Sequence, residues 1–168
     1  MATAPITYCG YTPIYAESKR LDLNTDPTGT NAAGTYTAAI TVPAKSVIVD
    51  VIVSQVALWN AGTSATLKVG DAADDDGFYT GINMKATDLL AGQSLSFSHP
   101  GEAADAGEYV DGTANHITSR YSASERTITF SLTTVGTAPT TGETICTVVY
   151  AHESASAGGI RQGTYAAT

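Results

Sequence analysis

Charge is what this 168-residue chain has least of. Asp, Glu, Lys and Arg make up 14% of it, against roughly a quarter of an ordinary soluble domain. The positive side is the scarcer: eight Lys and Arg face sixteen Asp and Glu, a formal net charge of −8. Phosphate recognition needs clustered cations. Only Lys19 and Arg20 are adjacent, so nucleic acid is not expected as a partner, and the lack of a polybasic patch speaks against a membrane surface in the same way. No apolar run approaches the ~20 residues of a membrane helix; the longest candidate, residues 46–58, is interrupted by Asp50. The opening "MATAPITYCGYTPIY" has neither the basic leader nor the apolar stretch of a secretory signal, so synthesis in the cytoplasm is expected.

Reactive groups are equally sparse. The two cysteines, Cys9 and Cys146, match no CxxC or metal-ligand spacing and read as ordinary thiols. His99, His116 and His152 are far apart, none with a second ligand at zinc spacing. No G-x-S-x-G elbow and no G-x-x-x-x-G-K-[ST] loop occurs. The chain is therefore expected to be no enzyme and to need no cofactor. One acidic cluster stands out, "GDAADDDGFYTG", in which Asp71, Asp74 and Asp76 are candidate oxygen ligands for a hard cation. Its spacing is not that of an EF-hand: counting from Gly77, the first ligand position falls on Ala72 and the twelfth on Asn83. A solvated turn, its carboxylates bonded to nearby amides, is the simpler reading.

What is present is strand chemistry. In "TYTAAITV" the residues Tyr36, Ala38, Ile40 and Val42 share one face and threonines dominate the other. "RTITFSL" alternates in the same way through Ile128, Phe130 and Leu132. "SVIVDVIVSQVAL" is apolar on both faces, with Val47, Val49, Val51 and Val53 on one and Ile48, Asp50, Ile52 and Ser54 on the other, which directs Asp50 to solvent or to a neighbouring subunit. "SATLKVG", "QSLSFSH" and "ETICTVVYAH" add further strands, and "GFYTGINM" reads as a strand or a bend. About eight short strands with turn signals roughly every ten residues predict an all-β, antiparallel sandwich or barrel. Residues 1–34 show no sustained period and are expected to form an extended arm, 35–152 the β-domain, and 153–168 a flexible tail.

The run "GTYTAAITVPAKSVIVDVIVSQVALWNAGTSATLKVGDAADDDGFYTGINM", with "GQSLSFS", "ITSRYSASERTITFSL" and "TGETICTVVYAH", resembles small structural proteins encoded beside the major capsid gene in tailed bacteriophages. The resemblance covers about residues 35–152. It implies a jelly-roll-like β-sandwich acting as a capsid cement or decoration protein on the virion exterior, or less often as a head-fibre or tail appendage. It also implies the major capsid protein as partner, and it brings no catalytic motif. On that footing the chain is expected to self-associate, as a homotrimer first and a dimer second. A second subunit or an arm would cover the free face of residues 46–58. Tyr8, Tyr11, Tyr15, Lys19, Arg20, Arg161 and Tyr165 are the expected capsid or subunit contacts, since tyrosine offers large contact area at low entropic cost. Deleting residues 1–34 should then abolish capsid binding and leave a soluble β-domain. A rival role, carbohydrate or receptor binding, would use Trp59 with Tyr79 or Tyr121 as a stacking platform.

Overall fold

The computed structural model describes residues 14–25, 33–85, 88–97, 105–110 and 120–152. Its strands are β1 (Ile14–Asp22), β2 (Thr35–Val42), β3 (Ser46–Ala57), β4 (Ser64–Gly70), β5 (Tyr79–Asn83), β6 (Ser94–Ser96), β7 (Tyr121–Ser122), β8 (Arg126–Val135) and β9 (Glu143–His152). One sheet has the order β1-β9-β3-β6, with β7 also paired to β3; the other has the order β2-β8-β4-β5. All pairings within the two sheets are antiparallel. With the two-residue β7 set aside, these are the two four-stranded sheets of a jelly roll, in which the chain crosses repeatedly between layers and early strands pair with late ones. The expected antiparallel, jelly-roll-like sandwich is the fold.

The alternation in β2 and β8 does what period-2 patterning requires. Tyr36, Ala38, Ile40 and Val42 are buried against Ile128, Phe130 and Leu132, whereas Thr35, Thr37, Ala39 and Thr41 are exposed. β4 adds Ala65, Leu67 and Val69, and the facing sheet closes the core with Ile48, Val51, Val53, Cys146 and Val148.

Two expectations change. Residues 14–22, assigned from sequence to an arm, form a full sheet strand that pairs with β9 from Ile14↔Ala151 to Asp22↔Glu143 and buries Leu21 completely. The pattern hides this because β1 is an edge. Tyr15, Glu17 and Lys19 lie on the sheet's inner side yet stay exposed, so they need not be apolar and no alternation survives.

The second change is in β3. Val49 is an extra residue, a bulge between Ile48↔Tyr150 and Asp50↔Val149, and a one-residue insertion exchanges the two faces of a strand. The inward positions are therefore Ile48, then Val51, Val53 and Gln55, and Val47 is 40% exposed. Asp50 does not face solvent: it is 8% exposed, and its carboxylate accepts the Val51 amide (2.8 Å) and the Ser96 hydroxyl. A buried carboxylate needs such donors. Arg120 completes the bulge, donating Nε to the Ile48 carbonyl (2.8 Å) and Nη2 to that of Val49 (2.6 Å).

Candidate interaction surface

β4 runs through Gly70 into the acidic loop, where the chain is too tight for larger residues: a Cβ at Gly70 would collide with the carbonyl of Asp74, and one at Gly77 with the Tyr109 ring. Asp71 organises this loop. Its Oδ1 accepts the amides of Ala73 (2.9 Å) and Asp74 (3.3 Å) and the Tyr109 hydroxyl (3.0 Å), and its Oδ2 faces Arg126 Nη1 at 3.3 Å. Both members of this ion pair are nearly buried, with side-chain exposures of 12% for Arg126 and 10% for Asp71. Arg126 also donates Nη2 to the Arg120 carbonyl (2.9 Å) and lies over the Phe78 ring. Burial lowers the pKa of Arg126, with the Asp71 charge opposing the shift. Burial, reinforced by the Asp71 hydrogen bond, pushes the Tyr109 phenol up to about 12.

Of the acids expected to act together, Asp74 and Asp76 converge and are joined by Asp75, their carboxylate oxygens within 4.8 Å of one another. Asp71 is committed to Arg126, Tyr109 and the loop amides. Lys68 stands beside the trio, 3.6 Å from Asp75 and 3.4 Å from Asp76, and its pKa is raised by the hydrogen bond to Asp76 and the charges of both carboxylates. Burial raises the Asp74 carboxyl above the usual aspartate range. This chemistry is that of a latch: it ties the 71–78 loop to β8 and to Tyr109. Next to it an open depression of about 660 Å³ runs over Thr127, Thr129 and Ser131 on the outer face of β8.

The stacking platform is overturned. Trp59 is 1% exposed, tilted against Tyr36 with ring centres 5.0 Å apart, and its Nε1 donates to Thr144 Oγ1 at 3.0 Å. Gly142 lies flat against the indole, where a Cβ would collide with the ring. Tyr79 is also buried, its hydroxyl donating to the Val51 carbonyl (2.9 Å) and its pKa raised chiefly by burial. Only Tyr121 of the three is exposed. Trp59 emission is accordingly expected to be blue-shifted in the native protein and unmoved by a panel of glycans; a ligand-dependent shift would return the indole to the surface.

The outer face of the β1-β9-β3-β6 sheet offers more. Paired residues point to the same side, so Ile14, Ala151, Val47 and Tyr121 stand in one row across β1, β9, β3 and β7, with Ala16 and Val149 beside them. At the usual strand spacing this row spans about 14 Å. Ile14 and Tyr121 are 66% and 59% exposed. Further along, the face turns to hydroxyls, with Ser18 bonded to Thr147 (2.8 Å) and Ser54 to Ser94 (2.7 Å), and Ile145 is exposed beside Arg20. Arg20 is tied to Asp22 (3.1 Å) and Glu143 (2.7 Å). This exposed apolar row is the candidate interaction surface of the sheet.

Of the expected contacts, Tyr15, Lys19 and Arg20 sit on β1, but not on one face: Arg20 points with Ile145 to the outer side, and Tyr15 and Lys19 to the other, where Tyr15 stacks on Tyr150 at 5.6 Å. Tyr8, Tyr11, Arg161 and Tyr165 lie outside the described residues, as do Cys9, His99 and His116. His152 faces Ser46, Nδ1 to Oγ 3.1 Å, and Cys146 is buried, which raises its thiol pKa. Sequence reasoning passed over Ile14, Val47, Tyr121 and Ile145 as members of one surface. The available signal was the run of apolar groups on both faces of β3 and β9, which a one-sided sheet would not need.

No protein-family model and no curated protein matches the chain. Among solved structures, a chain in the acidic stable capsid structure of Helicobacter pylori bacteriophage KHP30 is similar over 84% of this chain and 89% of that one, with TM-score 0.51 and 13% sequence identity. A chain in the capsid of Ralstonia phage GP4 covers 91% of this chain and 92% of its own length, with TM-score 0.48 and 18% identity. At these identities the KHP30 likeness bears on the fold.

Proposed function

We propose that this chain is a non-enzymatic structural protein of a phage virion, a cement or decoration protein that binds the outside of the major capsid shell and stabilises it. The observation that carries this reading is the sheet-face row of Ile14, Ala151, Val47 and Tyr121, apolar throughout and exposed at Ile14, Val47 and Tyr121. A protein that cements a shell works by adhesion over a flat area, and a jelly-roll sheet whose outer face carries an apolar row is suited to that. The likeness of fold to a chain of a phage capsid structure supports the same reading. So does the interior use of the polar groups: Asp71 and Arg126 hold a loop, and Asp50 holds a bulge. Self-association belongs to the proposal, with the trimer and the dimer as its two forms.

The test is a cryo-electron reconstruction of the virion carrying this gene, wild type beside a deletion. Loss of density from repeated sites on the shell exterior is expected. Loss confined to the tail or to a vertex would replace the cement role with that of a head-fibre or tail appendage, and an unchanged particle would remove the chain from the virion.

A further inference from the structure

Among the described strands, β1 is the outermost of its sheet. Among the described residues, no backbone group of residues 14–21 is hydrogen-bonded on the side away from β9. Such an edge is a template for another strand, and proteins commonly guard it with charge. Here the guarding charges have both signs. Glu17 and Lys19 flank Ser18, both exposed and on the same side of the strand. Neither forms an ion pair with another described residue, in contrast to Arg20, which is held by Asp22 and Glu143.

We propose that β1 is a self-recognition edge, through which two copies of this chain join antiparallel about a two-fold axis at Ser18. An axis normal to a sheet passes beside a residue that faces its own copy, so each permitted register is named by that residue. With Glu17 on the axis, two glutamates meet; with Lys19 or Arg20 there, two like cations meet. With Ser18 on the axis, Glu17 faces the partner's Lys19 and Lys19 faces the partner's Glu17. Opposite charges at directly facing positions favour a pairing and like charges oppose it. Ser18 is also the midpoint of the nine-residue strand Ile14–Asp22, so the register that matches the charges is the one that overlaps the strands fully. The product is a continuous eight-stranded sheet, β6-β3-β9-β1 meeting its own copy, with the apolar outer faces of both subunits on one side. This inference does not depend on the virion role, and of the two oligomeric forms it selects the dimer.

Sedimentation velocity on the full chain tests it. Wild-type protein is expected at twice the 17.2 kDa chain mass. Glu17→Lys puts two lysines opposite each other at both positions and Lys19→Glu puts two glutamates there, so each variant alone should dissociate with Kd raised by about tenfold or more. An equimolar mixture of the two variants pairs Lys with Glu at both positions and should recover the dimer, which also shows that both variants are folded. A monomeric wild type overturns the proposal. So does an oligomer that both charge reversals leave intact, or a mixture of the variants that stays monomeric.

Discussion

Deleting residues 1–34 is expected to unfold the domain and leave no soluble β-core. The cut removes all of β1, including Leu21, which is fully buried, and strips β9 of a partner that it meets along nine residue pairs. Loss of one large buried aliphatic side chain costs about 2–5 kcal/mol. That is a large part of the roughly 5–15 kcal/mol that holds a domain together, before the unpaired edge of β9 is counted. Deleting residues 1–13 leaves β1 whole and is expected to preserve a cooperative transition in urea. The comparison of the two truncations by circular dichroism is decisive: a cooperatively folded 35–168 fragment would make β1 an accessory and restore the arm.

The second large effect is expected at the Asp71–Arg126 pair. Either Asp71→Ala or Arg126→Met leaves a charge nearly buried without its counter-ion, and breaking a buried pair in this way costs about 3–5 kcal/mol. The loss at Asp71 also frees the amides of Ala73 and Asp74 and the Tyr109 hydroxyl. The double variant Asp71→Ala with Arg126→Met should be less destabilised than the sum of the singles, because no orphaned charge remains. Urea denaturation of the four proteins measures the coupling. Additive losses would show that the two side chains stabilise the loop independently and that the latch is not a pair.

These two sites differ in how visible they are in the sequence. Arg126 opens a clear amphipathic strand and Asp71 sits in a cluster of acids; nothing local says that these side chains, 55 positions apart in the chain, close to 3.3 Å. The contact arises because β4 and β8 are neighbours in the sheet, with Gly70 opposite Thr129. The acidic cluster suggested a cation for Asp71, and the cation in contact with it is a guanidinium.

The sequence by itself determined the class of the fold. Period-2 alternation in residues 35–42 and 126–135, β-branched density in 46–57 and regular turn signals admit few arrangements other than an antiparallel sandwich, because the side-chain period and the turn chemistry are local properties. Composition likewise gave the shortage of cationic surface directly. Three things only the tertiary structure decided. The bulge at Val49 exchanged the two faces of β3, since register depends on the partner strand and not on the strand itself. Trp59 went into the core because Tyr36, Thr144 and Gly142, each distant in sequence, wall its site. Residues 14–22 became a strand because β9 supplies the hydrogen bonds and the other sheet covers Leu21. An edge strand exposed along most of its length has little need of an apolar period, and so leaves little trace of itself in the sequence.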